Sequence, residues 1–270
     1  MQKVKPLKRF GQNYLHDKNI LKKILLQINP QPNDTVVEIG PGYGSLTKLI
    51  YGRVKNFIAV EIDKRVIDDL SSRFPELHLI QSDFLDVDLH TLLKKVDEKL
   101  RITGNIPYNL TSPIIFKIIN NSEIINDAVM MVQYEVAKRM TANRGTKDYG
   151  ILSVLLKYFS KTELCFKVSP NAFYPKPKVN SAVVQIKLKK ITISESDRKL
   201  FINIVKASFG NRRKTLKNSL SNSIFNELNF SGTGIDLSLR AEQLDVKDFE
   251  TLTEHARKIL VDRYLNPDNF

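Results

Sequence analysis

The sequence predicts an α/β fold, a mostly parallel sheet with helices on both faces, followed by a small all-α domain. Short β-prone runs and apolar helical patterns alternate up to about residue 134. Polar groups suited to a ligand stand at the carboxyl end of one strand after another, which is where open α/β sheets bind ligands. After Lys190 the β signals stop and only helical periodicity remains.

Taken in chain order, Asp17 can cap an opening helix that carries Ile20, Leu21, Ile24, Leu25 and Ile28 on one face. Thr35 to Ile39 is a β-prone run leading into Glu38-Ile39-Gly40-Pro41-Gly42-Tyr43-Gly44, and Leu46, Leu49 and Ile50 begin a helix behind it. A glycine turn between strand and helix lets a ligand approach the backbone closely. The second strand, Phe57 to Val60, ends at Glu61, which lies 21 residues past Gly40. That is the offset at which an acidic side chain meets ribose hydroxyls in nucleotide sites. Pro41 removes one backbone N–H that a pyrophosphate could use, so the turn reads as a site for a nucleoside without phosphates. Dinucleotide binding is the competing reading, and the turn alone does not decide between them.

The third strand, Leu77 to Ile80, ends in Gln81-Ser82-Asp83-Phe84, where a carboxylate and a ring can address an adenine's amine and its face. Alone, Asp83 serves equally well as a cap or turn residue. The fourth run (Leu100, Ile102) ends in Asn105-Ile106-Pro107-Tyr108, ahead of a helix over Ile114 to Ile119. An Asn oxygen and a neighbouring backbone carbonyl can accept both N–H bonds of an exocyclic amine, and Tyr108 can stack on the base. In isolation the same four residues would be an N-cap turn with a buried Tyr; following a glycine turn and two strand-end acids, they are not isolated. Val179 to Leu188 alternates apolar and polar, as an antiparallel closing strand does. Phe201, Ile204, Val205 and Phe209, then Leu216 and Leu220, then Phe249, Leu252 and Ile259 read as helices, broken at Ser231-Gly232-Thr233-Gly234. The boundary divides residues 1–190 from residues 191–270.

The chain has 270 residues, enough for one substantial core and a smaller second one. No segment approaches the 18 or so consecutive apolar residues of a membrane span, and the N-terminus lacks the apolar stretch of a signal peptide. A single cysteine, Cys165, excludes an intrachain disulfide and reads as a packing residue. Four scattered histidines offer no metal-ligand spacing, so no metal is expected and a reducing cytoplasm is. The net charge of +13 is unevenly placed. Residues 31–100 carry 9 Lys/Arg against 12 Asp/Glu, while residues 157–190 hold eight Lys against one Glu. Lys3, Lys5, Lys8 and Arg9 form a basic arm; Lys206, Arg212, Arg213, Lys214 and Lys217 add five positive charges with no acid, and Gly210 suggests a break that exposes Arg212, Arg213 and Lys214 as a group at a helix start. Three acid-poor segments beside a base-sized aromatic site favour a phosphate-rich partner over an ordinary solvated face.

The order of glycine turn, acid, acid and Asn-x-Pro-Tyr resembles the S-adenosylmethionine-dependent methyltransferases. Gly11-Gln12-Asn13-Tyr14-Leu15, Gln133-Tyr134-Glu135-Val136-Ala137-Lys138-Arg139 and Phe173-Tyr174-Pro175-Lys176-Pro177-Lys178-Val179-Asn180-Ser181 narrow the match to the ribosomal RNA adenine N6-dimethyltransferases. Phe209 to Leu216 is similar to the signature of the KsgA/Dim1-type small-subunit branch, and the resemblance runs from about Lys8 to about Leu260. Tyr14 departs from the usual Phe, and Leu110-Thr111 from the common Ile-Ser. The resemblance implies a Rossmann-like class I methyltransferase sheet over residues 1–190 and a helical rRNA-binding domain over residues 191–270. It also implies S-adenosylmethionine as cofactor, and a monomer, away from membranes, that dimethylates two adjacent adenines near the 3′ end of small-subunit (16S) rRNA in the pre-small ribosomal subunit. By resemblance Asn13 and Leu15 close over the cofactor, Gly40 lines its methionine end, Glu61 holds the ribose and Asp83 the adenine. Gln12 is a further candidate for the same site, and Leu15 could instead be a core residue. Asn105, which also borders the cofactor, would aim the adenine N6, with Tyr108 and Phe173 stacking the extruded base. Core packing is the alternative for Phe173; its place in an irregular Pro-rich loop favours stacking. A non-catalytic RNA-binding factor on the same fold, or an enzyme acting on large-subunit rRNA or DNA, are the alternatives.

Overall fold

The computed structural model describes residue 6, residues 12–94 and residues 98–265, the side chains of 262–265 excepted. The basic arm at Lys3, Lys5, Lys8 and Arg9, and Gly11 of the N-terminal motif, lie outside the described residues. Its contacts divide the chain into two compact units, residues 1–138 with 160–190 and residues 139–159 with 191–270.

The first unit is built on a sheet of seven strands, β2 (Thr35–Ile39), β3 (Asn56–Glu61), β4 (His78–Gln81), β5 (Leu100–Asn105), β6 (Ile125–Gln133), β7 (Ser160–Val168) and β9 (Ser181–Leu188). Their order is β4-β3-β2-β5-β6-β9-β7, parallel from β4 to β6, with β9 antiparallel to both β6 and β7. A two-stranded ribbon pairs β1 (Tyr14–Leu15) with β8 (Phe173–Tyr174), Leu15 opposite Phe173. The four central strands are almost wholly buried because helices cover both faces, which is why their sequences read as apolar runs rather than alternations. α1 (Lys18–Ile28) starts as expected, with the Asp17 carboxylate accepting from the Asn19 and Ile20 N–H groups. The short helix α2 (Thr47–Ile50), α3 (Lys64–Arg73), capped by Asp63, and α4 (Thr111–Asn120) follow β2, β3 and β5.

The expected closing strand is β9, but it lies between β6 and β7 rather than at the edge. The edge strand, β7, escapes the sequence reading because exposed Lys161, Glu163 and Lys167 fill its alternate positions and read as part of a charged run. Cys165 on that strand is half-buried and packs against the core cluster. Near the amino end of the central strand β5, Arg101 joins four groups. It pairs with Asp127 at 2.7 Å and Asp34 at 2.5 Å and donates to the Ile28 and Asn29 carbonyls that end α1.

The second unit contains α6 (Ile151–Phe159), α7 (Glu195–Ser208), α8 (Leu216–Ser221) and α9 (Val246–Leu265); of α5 (Tyr134–Met140), residues 134–138 belong to the first unit and 139–140 to the second. That second unit takes in residues 191–270 together with residues 139–159. The cause is the apolar character of α6, whose Tyr158 ring stacks on Phe201 of α7 with centroids 4.2 Å apart and whose Phe159 meets the same ring edge-on. The expected break falls at the 3₁₀ turn Ser231–Thr233, closed by Gly234 at φ +74.

Candidate active site

The carboxyl ends of β2, β3, β4 and β5 open onto one cavity of about 340 Å³, within the size range of small-molecule sites. Asn13, Gly40, Glu61, Asp83, Asn105 and Tyr108 all line it, as does Gln12. Segments far apart in sequence meet there because β2, β3 and β5 are parallel and in register, so their ends fall at one level.

The glycine turn forms the floor. Gly40 and Gly42 take φ +63 and +53, conformations that glycine adopts without steric cost. A Cβ on Gly42 would lie 2.7 Å from the Tyr14 ring, and one on Gly104 only 2.4 Å from the Ile39 carbonyl oxygen. Glu61, 5% exposed, is held by both oxygens: Oε2 accepts from the Gly42 N–H at 3.1 Å and Oε1 from the Asp63 N–H at 2.9 Å. Burial raises its carboxyl above the usual range, and the backbone donors of Asp63 and Gly42 oppose that rise. Asp63 is the opposite case. Its hydrogen bonds with Arg65 hold the carboxyl down at about 2, helped by Gln12, whose amide donates to Oδ2 at 2.9 Å.

At the end of β4, the Leu85 N–H donates to Asp83 Oδ1 at 2.9 Å, so Asp83 does make the local turn that its sequence allowed, while still lining the cavity beside Phe84. At the end of β5, Asn105 Nδ2 donates to the Asn13 carbonyl at 2.6 Å, which directs Oδ1 away as an acceptor. The Pro107 carbonyl accepts from the Leu110 N–H at 2.9 Å, leaving the Ile106 carbonyl as the second acceptor for a ligand amine. Tyr108 is half-buried, and its hydroxyl meets Ser181 Oγ at 2.8 Å, which fixes the ring plane; burial raises its pKa.

Two expected residues sit elsewhere. Leu15 is 6% exposed and reaches only a smaller adjoining cavity of about 40 Å³, shared with Gly40 and Asn105. Phe173 is 1% exposed and belongs to the core cluster with Leu15, Leu21, Ile24 and Val183. Its loop is not irregular at that point, because pairing with Leu15 in the β1–β8 ribbon turns the ring inward and leaves Tyr174, 65% exposed, as the outer residue. Packing is therefore what Phe173 does in this structure. Asp63, Phe84 and Ser181 complete the site; Asp63 carries the local signal of a helix cap bonded to Arg65 two residues on, whereas Ser181 carries none, since Tyr108 lies far off in the chain.

Glu38, 2% exposed, accepts from Thr47 Oγ1 at 2.7 Å and lines the smaller cavity, and burial lifts its carboxyl to about 8. In the second unit, the group expected at a helix start precedes it, since α8 begins at Leu216 behind its Thr215 cap. Arg212, Arg213 and Lys214 are all exposed, and the Arg212 guanidinium is in addition engaged with the Lys147 and Tyr149 carbonyls and pairs with Glu242 at 3.4 Å.

The ribosomal RNA adenine dimethylase family matches residues 4–258. A ribosomal RNA small subunit methyltransferase A from Chlorobium phaeobacteroides (strain BS1) is 44% identical over 252 residues, 93% of this chain and 94% of its own. The protein of the same name from Xylella fastidiosa is 43% identical over 249 residues, covering 91% and 94%. A dimethyladenosine transferase from Plasmodium falciparum has a similar structure, with a TM-score of 0.76 and 28% identity over 90% of this chain and 97% of that one. The 23S rRNA methyltransferase ErmE shares the fold, with a TM-score of 0.64 and 24% identity over 90% and 99%.

Proposed function

The chain belongs to the ribosomal RNA adenine dimethylase family, and from that premise we propose that it dimethylates N6 of two adjacent adenines near the 3′ end of small-subunit rRNA. It is an S-adenosylmethionine-dependent rRNA adenine dimethyltransferase with a class I methyltransferase fold. The adjacent pair and its place in the RNA belong to the reading, as do the residue roles that follow. So do action on the assembling small subunit, a monomeric state and a cytoplasmic location. No helix among the described residues is long and apolar enough to cross a membrane.

The observation that carries the reading is Asn105, its amide nitrogen tied to Asn13 and its oxygen presented beside the Ile106 carbonyl and Tyr108 at the cavity. The residues fit the cofactor. Glu61, anchored by two backbone donors, would accept from ribose hydroxyls, while Asp83 and Phe84 would hold the adenine. Gly40, with Asn13 and Leu15, would border the methionine end. When bound, S-adenosylmethionine supplies a methyl group made electrophilic by its sulfonium.

The N6 lone pair of adenine is delocalised into the ring and is a poor nucleophile. Acceptance of its two N–H bonds by Asn105 Oδ1 and the Ile106 carbonyl would draw the lone pair out of conjugation and fix its direction. Tyr108, locked by Ser181, would stack the extruded base. Phe173, 1% exposed, would join the stack only on leaving the core, so stacking would rest on Tyr108. The helical unit would bind rRNA phosphates through exposed Lys206, Arg213, Lys214 and Lys217.

The test is methyl transfer from labelled S-adenosylmethionine to unmethylated small and large subunits side by side. The expected product is dimethyladenosine at two neighbouring positions of small-subunit rRNA. Label confined to large subunits, or to one isolated adenine, would refute the assignment.

A further inference from the structure

Lys117 lies in the last turn of α4, the helix that begins just after Asn105 to Tyr108. Its ammonium does not point to solvent. It donates to the Leu85 carbonyl at 2.7 Å and the Val87 carbonyl at 2.6 Å, and it stands 5.5 Å from the centroid of the Phe84 ring. These three residues belong to the loop after β4; beyond the Ser82 N–H on the Glu61 carbonyl, the loop's other hydrogen bonds among the described residues are short turns within itself. The Asp86 N–H bonds the Asp83 carbonyl at 3.0 Å and the Val87 N–H bonds the Phe84 carbonyl at 3.3 Å. Asp83 and Phe84 face the cavity, whereas Lys117 stands outside it.

We infer that Lys117 is a positioning residue for base recognition: it clamps the 83–87 loop so that the Asp83 carboxylate and the Phe84 ring meet the cofactor's adenine. The inference deepens the reading of Asp83 given above and rests on it. Two charge-assisted bonds to carbonyls and a cation over a ring together hold a loop that turn hydrogen bonds alone would hold weakly. Burial lowers the Lys117 pKa while Asp86, Asp88 and Asp83 oppose the fall, so the ammonium is partly desolvated and its bonds gain in strength. The span from Thr111 to Lys117 is about 9 Å of helix, so one rigid element would tie the acceptor-base end of the site to the cofactor-base end.

The consequence is a selectivity. A fixed carboxylate accepts from a 6-amino group and repels a 6-oxo group, so the wild-type protein should bind S-adenosylhomocysteine some ~10–100-fold more tightly than S-inosylhomocysteine. In Lys117→Met, which keeps an apolar stem of similar length, that ratio should fall below about 3-fold, with S-adenosylhomocysteine affinity reduced about 10-fold. Calorimetry with the two ligands on wild type, Lys117→Met and Asp83→Asn reads the ratio, and thermal melting confirms that each variant is folded. Equal weakening of both ligands in Lys117→Met, with the ratio kept, would mean a merely structural lysine and overturn the inference. If Asp83→Asn abolishes the ratio while Lys117→Met keeps it, the inference alone falls; if Asp83→Asn keeps it, the adenine assignment falls as well.

Discussion

Replacing Glu61 by Gln removes one charge and turns one of two acceptors into a donor. In the structure Oε1 and Oε2 each accept a backbone N–H, from Asp63 at 2.9 Å and Gly42 at 3.1 Å, so the amide NH₂ of Gln would face a donor whichever way it turned. Losing a charged acceptor costs on the order of 1.5–3 kcal/mol, and cofactor affinity should drop about 10–100-fold. The pH dependence gives a second readout. Burial raises the Glu61 pKa in the folded, ligand-free protein, so the unliganded fold gains stability as pH falls through that raised value. Ribose hydroxyls donate to the ionised carboxylate, so binding favours the charged form and releases a proton below the raised pKa. Wild-type affinity should therefore decline with acidification, and Glu61→Gln should flatten that decline. Asp63, held at about 2, stays ionised throughout, and Glu38, near 8, would contribute only at the alkaline end. Calorimetry of S-adenosylhomocysteine binding over a pH series in two buffers of different ionisation heat measures both affinity and proton release. Unchanged affinity with an unchanged pH slope in the variant would refute the ribose assignment.

Asn105→Ala should reduce single-turnover methyl transfer to small subunits by at least ~100-fold while altering rRNA affinity by less than about 3-fold, because N6 alignment matters chiefly in the transition state; filter binding beside quench-flow separates the two. Arg101→Ala leaves Asp127 and Asp34 without their shared partner, with Arg101 only 12% exposed in the native fold, so unfolding in urea should show a loss of about 3–5 kcal/mol. Arg213→Ala with Lys214→Ala should reduce the log–log salt slope of small-subunit binding by about 2, and adding Arg212→Ala should change the slope little, since that guanidinium holds the Lys147 and Tyr149 carbonyls; titration across a salt series checks this.

The elements of the first unit were legible wherever they obey a local rule. Asp17 reads as a cap and is one, the glycine turn demands positive φ at Gly40 and Gly42 and has it, and Glu61, Asp83 and Asn105 stand at strand ends as their spacing implies. The edge strand β7 was hidden because its lysines look the same on a solvated strand as on a loop. Residues 139–159 could not be assigned to the helical unit from sequence, because an apolar helix says that it is buried without saying against what.

The amino-acid sequence by itself determined which chemistry is present and at which strand ends it stands, because caps, turns and strand periodicity are fixed within a few residues. Only the tertiary structure decided which groups hold them in place: Asn13 on Asn105, Ser181 on Tyr108, Gln12 on Asp63 and Lys117 on the 83–87 loop. It also decided that Phe173 faces the core and that Arg212 braces a loop. Most of these contacts join residues separated by dozens of positions, and they exist because sheet register and helix packing bring the chain back on itself, which local patterns do not encode.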